Sequence, residues 1–185
     1  MSVVKLLVLG ALRRREAAHG YRIYRDLIDW RVETWTVVRP GSIYHAIAQL
    51  EKQGLIKAAR GRVSQKLGPA KTEYGLTAAG GQEFIRLLEE ALKGINLVEL
   101  SVGVAFMEYL PRGRVIELLR ERATAQSELK TFLRTLPTEN PPAAPSQHPE
   151  LIRLWADAYA HAAVSTEKLI TSIRSGDYIF KNEEI

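Results

Sequence analysis

Apolar residues recur every three or four positions through most of the chain, and the places where that rhythm stops define its elements. Val4, Leu7, Val8, Ala11 and Leu12 mark a helix over residues 3–15, with Ser2 as its cap. Ala18-His19-Gly20 interrupts the pattern. A second helix follows over 21–30, with Tyr21, Tyr24, Leu27 and Ile28 predicted on one face. A short loop over 32–39 carries Trp35. The third helix starts at Pro40-Gly41-Ser42, buries Ile43, Ala46, Ile47 and Leu50, and stops at Gly54. Proline suits a helix entrance, serine suits its cap, and glycine suits the residue past its end.

Beyond Gly54 the period changes. Residues 55–59 and 71–76 read as two strands, joined by a loop over 60–70 rich in glycine, proline and basic residues. That is a β-hairpin with a long basic tip. Thr77 caps a fourth helix whose stripe is Phe84, Leu87, Leu88 and Ala91. The remainder is helical: 96–110, then 112–136 after Pro111, then about 150–175 after a proline-rich loop over 137–149. In the last helix Trp155, Tyr159, Ala162, Thr166, Leu169 and Ile173 are spaced 4, 3, 4, 3, 4. A heptad seam of this kind packs on another helix, either within the chain or in a second subunit.

Three helices, a hairpin and a helix, in that order, predict a winged helix-turn-helix. The fold class expected is mainly α, with a two-stranded wing and an all-helical C-terminal region. The domains read as 1–92 and 93–185. In a winged helix the third helix enters the DNA major groove by its N-terminal end. Its first turn must therefore be sharply defined, it need not be long, and a wing strand must follow at once to share its core.

Charge sharpens this picture. The chain of 185 residues carries a net +5, but residues 1–94 hold 16 basic and 9 acidic side chains, and residues 95–185 hold 10 and 12. A basic first half beside a near-neutral second half points to an anionic partner for the first half. The absence of cysteine excludes disulfides, thiolate zinc sites and a cysteine nucleophile. The seven-residue run Leu6–Leu12, with three arginines after it, is too short to span a bilayer and has the wrong flanks for a signal peptide. A soluble, cytoplasmic, nucleoid-associated protein is expected. There is no glycine-rich phosphate loop, nucleophile elbow or metal-ligand spacing, so no enzyme, cofactor or metal is expected. Asp157 and His161 are a lone helical pair, which is too few ligands for a metal site.

Four segments together resemble the PadR family of bacterial transcriptional regulators: His19-Gly20-Tyr21, Pro40 to Tyr44, Leu50 to Ile56, and Thr72 to Gly80. They fall in the family's order and spacing across about residues 3–92. The C-terminal half is similar to the longer members, which end in a pattern like that of residues 173–180. His45 departs from the family, where many members carry proline, and this puts the operator preference in question. The resemblance implies a homodimeric repressor on a pseudo-palindromic operator. It also implies C-terminal helices exchanged between subunits, and in many members release by a small, often aromatic effector.

Candidate DNA contacts come from placement. Gln49 can pair with an adenine edge, and Ser42, Tyr44 and His45 stand on the first turns of the third helix. Ser42 also reads as a cap and Tyr44 as partial core. Tyr21, at the start of the second helix, suits a phosphate or the core. Arg39 suits a phosphate. In the wing, Arg60, Arg62, Lys66 and Lys71 surround the loop glycines, and one or two of them are expected to reach DNA. The dimerisation candidates are Trp155, Tyr159, Ala162, Thr166, Leu169 and Ile173. Trp30, Trp35 and Trp155 read as core aromatics rather than a ligand box. The rival reading is a winged helix that binds protein and shows no salt-dependent DNA binding.

Overall fold

The structure is a computed structural model that describes residues 3–36, 38–59, 72–136 and 149–181. In chain order the elements are α1 (Val3–Arg15), β1 (Ala17–His19), α2 (Gly20–Asp29), a 3-10 turn (Val32–Thr34), α3 (Pro40–Lys52), β2 (Ile56–Ala58), β3 (Glu73–Leu76), α4 (Ala78–Lys93), α5 (Leu97–Phe106), a second 3-10 turn (Met107–Tyr109), α6 (Arg112–Thr135) and α7 (Pro149–Arg174). Packing divides them into two compact units, residues 1–91 with 96–106, and residues 92–95 with 107–185.

In the first unit α1 is the central element. Leu6 through Leu12 is buried without a break, as befits a helix covered all round. α2, α3, α5 and β3 pack around it. α5 therefore belongs with the first unit, whereas the sequence division after residue 92 assigned it to the C-terminal region. Phe106, the last residue of α5, shows why. Its ring stands edge-on to Phe84 and to Trp30, each at 5.8 Å. It also lies so close to Gly10 that a Cβ there would meet its Cζ at 2.3 Å. The helix expected over 96–110 thus ends at Phe106 and gives way to the 3-10 turn.

Two further differences come from short or misread segments. The break in the helical pattern is a strand over Ala17–His19: Glu16, with φ of 63°, turns the chain out of α1 straight into β1. The sheet has three antiparallel strands in the order β1-β3-β2, with Ala18 opposite Tyr74 and Ala58 opposite Tyr74 on the other side. In α2 the buried residues are Gly20, Ile23, Asp26 and Leu27, not the stripe that counted Tyr21 as apolar. Trp30 and Trp35, expected in the core, are half-buried. The Arg14 guanidinium lies 4.5 Å over the Trp30 ring and donates to the Ala105 carbonyl at 3.3 Å.

The second unit is built on α6 and α7, which run antiparallel: Arg112 of α6 donates to the Ile173 carbonyl, and Gln126 accepts from the Thr166 hydroxyl at 3.1 Å. Val115, Leu118, Leu119, Ile170, Ile173 and Phe180 form its apolar interior. Arg122, Gln126 and Thr166 are buried beside them. The chain after α7 folds back, with Arg112 donating to the Tyr178 carbonyl at 3.0 Å and stacking 4.7 Å over Phe180.

Candidate nucleic-acid interface

The site begins with how α3 is fixed at both ends. At its start Arg39 is the N-cap, and Ser42 works from inside the first turn. The Ser42 hydroxyl accepts from the Arg39 amide at 3.1 Å and donates to the Arg39 carbonyl at 2.7 Å. Ser42 therefore caps backward, onto Arg39, rather than onto the first-turn amides. At the end of the helix the Gly54 amide reaches the Glu51 carbonyl at 2.9 Å, and the Leu55 amide reaches the Leu50 carbonyl at 2.9 Å. This double closure needs a left-handed residue at the turn, and Gly54 supplies it with φ of 69°.

Just past Gly54 the helix is locked to the sheet. The Thr77 hydroxyl donates to the Gly54 carbonyl at 2.8 Å and accepts from the Gly80 amide at 3.0 Å, so one side chain ties the end of α3 to the start of α4. Gly80 is required there, because a Cβ would stand 1.8 Å from the Leu55 carbonyl oxygen. Tyr74 of β3 and Glu51 of α3 line one concavity. Burial first, then the neighbouring Glu51 charge, pushes the Tyr74 hydroxyl above its ordinary pKa.

With both ends held, α3 presents two faces. Ile43, Ile47 and Leu50 are buried. Tyr44, His45, Ala48, Gln49 and Lys52 are exposed. His45 and Gln49 are one turn apart and share the outward row. Tyr44 is 49% exposed yet leans onto α2, where its ring fills the space a Cβ of Gly20 would take, 2.7 Å away. Tyr21 and Tyr44 meet in a concavity of about 340 Å³ that also includes His19, Glu51 and Tyr74. The start of α2 is capped by His19, whose Nδ1 accepts from the Arg22 amide at 3.0 Å.

One buried carboxylate organises the cations beside this surface. Asp26 is only 5% exposed. It accepts from Arg15 Nη2 at 2.7 Å and from Arg15 Nε, and lies 3.2 Å from Arg22 Nε. The bond to Asp26 raises the Arg15 pKa above its ordinary value; the charges of Asp26 and Asp29 add to this, and burial opposes it. A buried carboxylate requires such partners. The sequence offered one signal for the clasp, Arg22 four residues before Asp26. The Arg15 contact crosses from α1 and had none.

Of the predicted DNA contacts, Tyr21, Arg39, Tyr44, His45 and Gln49 are exposed and Ser42 is half-buried. The wing-tip residues Arg60, Arg62, Lys66 and Lys71 lie outside the described residues. The predicted α7 seam divides. Trp155 is 50% exposed, with its ring 5.7 Å from that of Tyr159. Tyr159, Ala162 and Leu169 are half-buried. Thr166 and Ile173 are buried within the chain itself, so those two positions are used inside the subunit. Leu151 and Leu154, which the heptad did not include, are exposed next to Trp155. Among the described residues no group of acidic or histidine side chains could hold a metal, and no helix is long and apolar enough to cross a membrane.

Residues 8–86 match the model of the transcriptional regulator PadR-like family. The structure is similar to a crystal structure of Bacillus subtilis PadR in complex with operator DNA, at 20% sequence identity and a TM-score of 0.40. The similarity covers 93% of this chain and 99% of that one. A search of curated proteins finds no significant match.

Proposed function

We propose, from the match of residues 8–86 to the PadR-like family of transcriptional regulators, that the chain is a homodimeric repressor that reads a pseudo-palindromic operator with α3. The observation that carries this reading is the two-faced α3. Its inner face is wholly buried, its outer row of His45 and Gln49 is free to meet base edges, and its first turn is held by Ser42 at the surface. A rigid helix with an exposed N-terminal half suits the major groove. In this reading Gln49 pairs with an adenine edge, and His45 and Tyr44 flank it. Ser42, Arg39 and Tyr21 meet phosphate. Arg62, Lys66 and Lys71 of the wing track the backbone or minor groove.

The helical region, from about residue 93 on, holds two subunits together. The exposed apolar residues Leu151, Leu154 and Trp155 of α7 support that role, extended by Tyr159, Ala162 and Leu169. An effector that binds one arrangement of the dimer better than another changes the distance between the two recognition helices. Half-sites lie about 34 Å apart, so a modest shift loses one of them.

Fluorescence anisotropy with duplex DNA from upstream of the chain's own gene, against a scrambled duplex, tests the reading. Binding that survives about 150 mM salt and exceeds the scrambled control by about 1,000-fold supports it. Binding without salt dependence or preference supports a protein-interaction module instead. Sedimentation of a Trp155→Glu chain tests the dimer. The wild type is expected as a dimer and the variant as a monomer, with little change in helix content because Trp155 is exposed.

A further inference from the structure

The cations of α1 and α2 are not equivalent, and the difference assigns a DNA contact. The outward side of α2 carries Tyr21, Arg22, Arg25 and Asp29. Two arginines near this side are committed elsewhere: Arg15 and Arg22 both hold Asp26, which is almost fully buried. Releasing either one would leave a buried carboxylate less well paired, which is costly. Arg14 is committed to the Ala105 carbonyl and the Trp30 ring.

Arg25 differs. It is exposed and makes no hydrogen bond or ion pair among the described residues. It stands one turn after Tyr21, so the two side chains share a face. Tyr21 in turn lines the same concavity as Tyr44 of α3, which places this face of α2 alongside the recognition helix. A long, unpaired guanidinium beside a groove-reading helix suits bidentate contact with a backbone phosphate.

We propose that Arg25 is the phosphate clamp of α2, working beside Tyr21, while Asp26 reserves Arg15 and Arg22 for joining α1 to α2. This rests on the DNA-binding reading above. It goes beyond that reading in separating three neighbouring arginines into one that meets DNA and two that hold the fold. Its partner is the phosphodiester backbone, so Arg25 adds affinity on every sequence and discriminates none.

The test uses the full chain, a random-sequence duplex and an operator duplex, over about 50 to 200 mM salt. Arg25→Ala is expected to weaken both duplexes by the same factor, about tenfold, and to lower the salt slope by about one. Arg25→Lys, which keeps the charge, is expected to restore most of the slope. Arg22→Ala is expected to leave the slope unchanged and to lower the Tm by about 2–4 °C. Wild-type binding with the usual salt slope, together with an unchanged slope in Arg25→Ala, overturns the clamp and leaves the DNA-binding reading standing. A slope lost equally in Arg22→Ala overturns the division of labour. A wild-type chain without salt-dependent binding overturns both readings.

Discussion

The helices at the centre of the first unit and of the second are buried against different neighbours. In the first, α1 is apolar around its whole circumference, and aromatic edges from Phe84, Trp30 and Phe106 close over it. In the second, the α6–α7 pair places Arg122, Gln126 and Thr166 within its interior and leaves Leu151, Leu154, Trp155 and Phe132 at the surface. An apolar core maximises stability per residue and fixes the elements around it. A polar layer costs stability but restricts which alignment of two helices satisfies its hydrogen bonds. The contrast suits the proposed roles. A recognition helix must be held still, whereas a helical pair that meets a second copy must choose one register.

The largest way to break the contrast is in the first core. Phe106→Ala removes a ring that packs on Gly10 of α1, Phe84 of α4 and Trp30 just past α2, and is expected to cost about 3–5 kcal/mol in urea unfolding. DNA binding should fall with it, since α3 rests on the same core. A loss below about 1 kcal/mol would mean that α5 does not support the first unit.

A smaller effect comes from the surface of that unit. Glu83 accepts from Arg86 Nε at 2.7 Å and from Lys5 Nζ at 3.2 Å. Chiefly through the Arg86 bond, its pKa is lowered from 4.5 to about 2. A carboxylate with a depressed folded-state pKa stabilises the fold above its unfolded pKa, and that contribution is lost as pH falls through the folded value. The window is therefore pH 4.5 down to about 2. Because Arg86 is more than half exposed, screening limits the effect to about 0.2–1 kcal/mol. Acid titration of wild type against Glu83→Gln should converge below that window and diverge above it.

The smallest effect sharpens the second unit. Among the described residues the buried Gln126 Nε2 has no acceptor, and the Thr166 hydroxyl also donates to the Ala162 carbonyl at 2.9 Å. Gln126→Leu therefore strands no donor on Thr166. It is expected to be neutral or to stabilise by up to about 1 kcal/mol, while loosening the register of α6 on α7. Thermal unfolding and hydrogen exchange in α6 measure the two effects. Destabilisation by about 2 kcal/mol or more would show that the amide is needed where it stands.

What could be read from the residues depended on local chemistry. α3 was legible because Pro40, Ser42 and Gly54 each have a conformational reason for their place, and Ile43, Ile47 and Leu50 leave only one face to bury. The buried face of α2 was misassigned because tyrosine counts as apolar in a periodic pattern, yet Tyr21 exposes half its surface. β1 was missed because three residues cannot establish a period of two; only its pairing with β3, far along the chain, makes it a strand. The α7 seam was half legible for a related reason. Heptad spacing states that a helix has a partner, but only the packing of Thr166 and Ile173 against α6 shows which positions that partner occupies. The Asp26 clasp needed the contact from Arg15 in another helix, which no local pattern encodes.

The central claim is that α3 reads bases while the cations around it hold the backbone. The most direct measurement compares Gln49→Ala with Arg39→Ala on operator and scrambled duplexes across a salt series, since both side chains are exposed and neither change disturbs the core. Arg39→Ala should weaken both duplexes alike and lower the salt slope by about one. Gln49→Ala should cost about 1–3 kcal/mol on the operator and little on the scrambled duplex, with an unchanged slope. If Gln49→Ala instead behaves as Arg39→Ala does, α3 does not read sequence through Gln49 and the account is contradicted.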